Sequence, residues 1–191
     1  MSIATVIGNG RSRLKYNLHD IQKMSTTYGC NALYRDFIPD YLISMDIHMV
    51  TEILNARVHH RCKFYTQHMN DIDLLAGNGE PINFVKTYTA TPDSGNAAVE
   101  LASNHGYDVI YILGFDYNNG LHNNVYAGSP NYNSKTYSTP IIQDEKWRSR
   151  LHNIVKQYPH IQYYRITDET YDGNLTNYNH ISIENFEELP C

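Results

Sequence analysis

The sequence predicts an α/β chain: a Rossmann-like open, mostly parallel sheet with helices on both faces and a lid-like loop. Three observations carry this expectation. Ile3-Ala4-Thr5-Val6-Ile7 is apolar and β-branched and runs directly into Gly8-Asn9-Gly10-Arg11-Ser12, a strand followed by a glycine turn. Short apolar runs then alternate with segments of helical periodicity, the pattern of parallel sheets joined by crossover helices. Third, residues 114–139 have no strong period and are rich in Asn, Gly, Tyr and Ser. A loop of that length in a compact domain points to a lid over a site.

The elements follow in order. Strands are predicted at 3–7, 41–45, 62–66, 83–87, 109–113 and 161–165. Between Met49 and Arg57, the residues Met49, Val50, Ile53 and Leu54 share one helical face. Ser94 to His105 presents Ala97, Ala98, Leu101 and Ala102, with Ser94 as N-cap and Gly106 as the terminating glycine. The strongest helix signal covers 140–158, with Thr139 as cap, Pro140 first, and Asp144 and Glu145 near the positive end. Its core face is Ile141, Trp147, Leu151, Ile154 and Val155, and Pro159 stops it.

Composition narrows the function classes. A length of 191 residues fits a single domain, 1–191, and 41 % hydrophobic with 18 % charged residues suits a globular chain. The net charge of −5 argues against general nucleic-acid binding. Cys30, Cys62 and Cys191 are too few and too scattered for a disulfide framework or a zinc knuckle. No signal peptide or membrane span is expected, which points to the cytoplasm. His59-His60 followed by His68 reads as solvated surface, and no metal is expected. No Walker A motif, G-x-S-x-G elbow or H-E-x-x-H is present.

In a sheet of this kind ligands sit beyond the carboxyl ends of the strands. Five segments should meet there: Gly8-Asn9-Gly10-Arg11-Ser12, Gly29-Cys30-Asn31-Ala32-Leu33-Tyr34, Ser44-Met45-Asp46, Asp93-Ser94-Gly95-Asn96 and Gly114-Phe115-Asp116-Tyr117. The first can hold a phosphate on its amides, or be an ordinary tight β-to-α turn. Asn9 and Asn31 offer amide donors and acceptors. A helix starting at Ser94-Gly95 offers N–H groups to an anion. Asp46 and Asp116 can bind hydroxyls or act as bases; their structural alternatives are an N-cap and a turn residue. His122 is the acid–base candidate of the lid.

The ordered set of Gly8, Asn9, Gly10 and Ser12, then Cys30 and Asn31, then Ser94 and Gly95, then Gly106-Tyr107 through Gly114, Asp116 and Tyr117 resembles the bacterial sialyltransferases of glycosyltransferase family 42. It is also similar to the related motility-accessory-factor proteins of flagellin glycosylation. The resemblance spans residues 3–130 and implies a metal-independent, inverting transferase using a cytidine-type (CMP-linked) nucleotide-sugar donor and an unknown acceptor, without other cofactors. It implies nucleotide or sugar contacts from Gly8, Asn9, Gly10, Ser12, Asn31, Ser94, Gly95, Asp116 and Tyr117. It also implies a lid tyrosine, Tyr126, near the leaving phosphate, and homo-oligomeric assembly. The chain departs from the pattern in three places. Ser134 to Thr139 holds no histidine, Asp46 replaces a sugar-contacting asparagine, and Pro92-Asp93 replaces an arginine. A carboxylate at 93 repels a sialic-acid carboxylate, so the expected donor is not sialic acid. His122, Tyr126 and Asp46 are the expected catalytic residues. The alternative is a non-catalytic nucleotide- or sugar-binding protein of the same fold.

Overall fold

A computed structural model describes residues 1–67, 80–86, 93–117, 123–134, 140–170 and 174–186. Eight strands form one sheet: β1 (Ile3–Ile7), β2 (Thr26–Cys30), β3 (Tyr41–Ile43), β4 (Lys63–Thr66), β5 (Ile82–Phe84), β6 (Val109–Leu113), β7 (Gln162–Ile166) and β8 (Tyr178–Ile181). Their order is β5-β4-β3-β2-β1-β6-β7-β8, and every pairing is parallel. Helices α1 (Leu18–Met24), α2 (Ile47–Asn55), α3 (Ser94–Asn104) and α4 (Ile141–Gln157) accompany it, with three short 3₁₀ segments. Among the described residues no helix is long and apolar enough to cross a membrane.

Strand alternation divides the core between the two faces. Ala4, Val6, Ile110, Ile112 and Tyr163 pack with Ala97, Ala98, Leu101 and Ala102 of α3 and Leu151, Ile154 and Val155 of α4. Their neighbours Ile7, Leu113 and Ile166 pack on the other face with Leu18 and Ile21 of α1. The central strands are therefore buried on both sides, as parallel sheets require.

Five predicted strands agree with the sheet to within a residue or two; the predicted 83–87 overlaps β5 at Ile82–Phe84, and residue 87 lies outside the described residues. β2, β8 and α1 were not foreseen. Helix starts shift by one or two positions. The N-cap of α3 is Asp93, whose carboxylate accepts from Asn96 N, rather than Ser94. Pro140 occupies the N-cap position of α4 rather than its first turn, and Thr139 lies outside the described residues. Gly106 follows the α3 C-cap with φ of 77°, as expected of a terminating glycine.

Strand order reverses at β1, which lies between β2 and β6. The turns after Ile7 and Leu113 thus form the topological switch point, where open α/β sheets bind ligands. The two turns touch. Gly8 N donates to Leu113 O at 2.7 Å, and Gly10 N donates to Gly114 O at 2.8 Å. A Cβ on Gly8 would stand 2.4 Å from Gly114 O.

Candidate ligand cleft

A cleft of about 190 Å³ opens at this switch point. Its walls come from the β1 turn (Gly8, Asn9, Gly10), the end of β2 (Cys30, Asn31), the start of α3 (Asp93 to Asn96), and the β6 turn (Gly114 to Tyr117). Asn123, Asn124 and Trp147 complete it. Of the expected convergence of residues 8–12 and 93–96 on one rim, Gly8, Asn9 and Gly10 meet residues 93–96, while Arg11 and Ser12 do not line the cleft.

Most expected binding residues line the cleft: Gly8, Asn9, Gly10, Asn31, Ser94, Gly95, Asp116 and Tyr117. Ser12 does not. Its N and Oγ both donate to Asp116, at 2.8 and 2.6 Å. Asp116 also accepts from Asn123 Nδ2 at 3.1 Å. The carboxylate is a clamp between two turns before any ligand arrives.

The glycine turn is not an open cradle for phosphate. The Gly8 and Gly10 amides are spent on the carbonyls of Leu113 and Gly114, and Ser12 N on Asp116. Neither Gly8 nor Gly10 needs a positive φ; both are small because two backbones cross there. Asp93 already occupies the amino end of α3, and it is paired with Arg150 at 3.1 Å. Among the described lining residues are two carboxylates and no Lys, Arg or His.

Two of the three expected catalytic residues, Asp46 and Tyr126, are not among the residues that line this wall. Asp46 is exposed and N-caps α2, accepting from His48 N at 2.9 Å and Met49 N at 3.4 Å. Tyr126 is buried; its hydroxyl donates to Asp36 at 2.7 Å and accepts from Arg13 at 2.8 Å. Burial raises the Tyr126 phenol far above its ordinary value, so it stays protonated. His122 lies outside the described residues. Cys30 lines the cleft, but burial pushes its thiol up to about 12, so it carries no thiolate for nucleophilic chemistry at neutral pH.

Residues 123–134 of the expected lid form a strap tied down over Asn31–Arg35. Val125 N donates to Asn9 O at 2.8 Å, and Arg35 donates to Ser129 Oγ at 2.7 Å and Pro130 O at 3.0 Å. Arg35 also makes a two-pronged pair with Glu52, at 2.6 and 2.7 Å. Glu52 further accepts from Asn131 Nδ2 and from the Tyr34 hydroxyl. Burial alone raises the Glu52 carboxyl, but hydrogen bonds from Tyr34, Arg35 and Asn131 outweigh it and hold the carboxyl below its ordinary value. Stability from a depressed carboxyl is fully present above about pH 4.3 and is lost as pH falls below it. Glu52→Gln should cost about 1–2 kcal/mol, limited by partial solvent access. In hydrogen exchange at neutral pH the strap amides of this variant should lose protection while the β1 and β6 amides keep theirs. Equal loss in both regions would show that the strap is not a separate unit.

The wall has unmet acceptors. Asn9 Nδ2 donates to Cys30 O, and Asn96 Nδ2 donates to Asp93 Oδ2 and Trp147 O. These partners fix both amides, leaving Asn9 Oδ1 and Asn96 Oδ1 buried with no donor among the described residues. The Tyr117 hydroxyl is likewise buried and without a partner there. An unmet buried polar group costs about 1–3 kcal/mol and is uncommon in native structures; these three all belong to residues that line the cleft. Sequence reasoning gave Asn9 a binding role, whereas Asn96 entered only as the last residue of the Asp93–Asn96 segment, with no role of its own. Trp147 comes to the cleft from the α4 core face.

Fold and site together define an α/β protein with a Rossmann-like parallel sheet and a polar cleft at its switch point. No protein-family model matches the chain, and neither curated proteins nor solved structures show a significant match to it. The resemblance to glycosyltransferase family 42 therefore rests on the order of its motifs alone.

Proposed function

We propose that the protein binds the sugar or nucleoside part of a nucleotide sugar in the switch-point cleft, as a binding protein rather than through the catalytic residues named above. The observation that carries this reading is the trio of unmet polar atoms, Asn9 Oδ1, Asn96 Oδ1 and Tyr117 Oη, on a wall with two carboxylates and no described cation. Such a wall favours hydroxyl and amino donors over phosphate. The aromatic rings of Phe115 and Trp147 suit the faces of a sugar or base. The volume, about 190 Å³, is below the roughly 300–1,000 Å³ of sites for larger ligands and suits one ring system. Glycosyl transfer is the second reading, favoured by the convergence of four of the five motif segments at one cleft.

A thermal-shift panel separates the two. Bound ligand raises the melting temperature by mass action. Cytidine and neutral monosaccharides should stabilise the native chain at least as well as CMP, and Asn96→Leu should abolish the shift. A CMP shift well above that of cytidine, together with hydrolysis of a CMP-sugar, would replace the binding reading with transfer. No shift with any compound would overturn both.

A further inference from the structure

On the opposite edge of the sheet, away from the cleft, the chain assembles a second polar cluster. The 3₁₀ segment Val58–His60 precedes β4, and Glu80 precedes β5, so both lie at the amino ends of the strands. His59 Nε2 and His60 Nε2 approach the same oxygen, Glu80 Oε2, at 2.9 and 3.0 Å. The three ligand atoms all lie within 4.8 Å of one another. The two imidazole rings are tilted at 42° to one another, with centroids 4.1 Å apart.

We propose that His59, His60 and Glu80 form a site for a zinc-class divalent cation. Two imidazoles and one carboxylate are a set that zinc favours, with one position left for water or another ligand. Tetrahedral bonds of about 2.0–2.2 Å place donor atoms about 3.4 Å apart, so the two His–Glu80 separations of 2.9 and 3.0 Å need to open by only a few tenths of an ångström, and the imidazole nitrogens already lie within 4.8 Å of each other. The unloaded arrangement is itself unsettled. His60 Nε2 lies 3.3 Å from the Arg57 guanidinium, a donor, and 3.0 Å from a carboxylate, an acceptor. One nitrogen cannot satisfy both, because a protonated Nε2 opposes Arg57 and a bare one opposes Glu80. A cation between His60 and Glu80 removes that conflict and displaces the protons that the imidazoles donate to Glu80. His59 is buried and fixes one ligand, while His60 is partly exposed and gives the ion an entrance from solvent. Arg57 is exposed and can turn outward. The ion would tie the turn before β4 to the start of β5, the outermost strand on that side.

The test uses the full untagged chain, stripped with a chelator and titrated with Zn(II) by calorimetry and with Co(II) by visible absorption. The native chain should take up one equivalent, with Co(II) bands of four- or five-coordinate nitrogen–oxygen ligation and no thiolate charge-transfer band. His60→Ala and Glu80→Gln should each weaken binding by about tenfold or more. Arg57→Asn removes the opposing charge and suits the left-handed backbone there (φ of 54°), so it should tighten binding. Metal-free melting curves of the His60 and Glu80 variants, close to that of the native chain, show that the loss is local. Uptake unchanged in both variants, a thiolate band, or no uptake by the native chain would overturn the site.

Discussion

Gly8→Ala should lower the melting temperature by about 6–12 °C, the equivalent of about 3 kcal/mol in a chain of this length. The added methyl would sit 2.4 Å from Gly114 O and 3.0 Å from Gly114 C. Both obstacles are backbone, and that backbone is held by the Gly8–Leu113 and Gly10–Gly114 hydrogen bonds. Relief requires the β1 and β6 turns to part, which breaks the switch point itself. Gly106→Ala is the control. A Cβ there meets nothing within 4 Å, and only its φ of 77° opposes the change, at about 1–2 kcal/mol. If the two variants melt together, the glycine at position 8 serves backbone conformation and not the crossing of two turns.

Arg165→Met should destabilise the chain by about 3 kcal/mol and abolish ligand binding in the molecules that remain folded. The Arg165 side chain is almost wholly buried, donates to Phe115 O through Nε at 3.0 Å and Nη2 at 2.5 Å, and pairs with Glu169 at 3.0 Å. Its guanidinium also lies 4.5 Å from the centre of the Tyr117 ring. Arg148 reaches Glu169 and the same ring from α4. Removing Arg165 strands the Phe115 carbonyl and loosens the segment that forms one cleft wall. Arg165→Lys keeps the charge but loses the planar fork, so it should recover less than half of the loss. Denaturant titration measures this; a midpoint equal to that of the native chain would show that Arg148 alone holds the wall.

The fold was legible where one signal dominated. Val109–Leu113 and Ile3–Ile7 are buried on both faces and read as continuous apolar runs, and their bounds match the structure. β2 was hidden because Thr26, Thr27 and Gly29 resemble a loop. Thr27 is sustained in the sheet by Asp40, which accepts from its N and Oγ1 at 2.8 and 2.7 Å, and Gly29 leaves room for Leu33 and Pro39. β8 carries Asn179 and His180 at an edge, where polar residues blur the period. The site was legible as a meeting of segments and not as a set of roles. Asp46 takes the N-cap role that the sequence offered as its alternative, with His48 and Met49 close by, whereas Ser12 and Tyr126 are spent on a clamp and a strap anchor whose partners, Asp116, Asp36 and Arg13, are distant in sequence. The unmet oxygens of Asn9 and Asn96 are a property of packing that no spacing of residues announces.

The central claim is that donors from a neutral ring system fill the switch-point cleft. A crystal structure of the protein soaked in cytidine tests it most directly. Cytidine is expected in the cleft, with hydroxyl or amino groups within hydrogen-bond distance of Asn9 Oδ1 or Asn96 Oδ1. Cytidine bound elsewhere, or an empty cleft at saturating concentration, would contradict it.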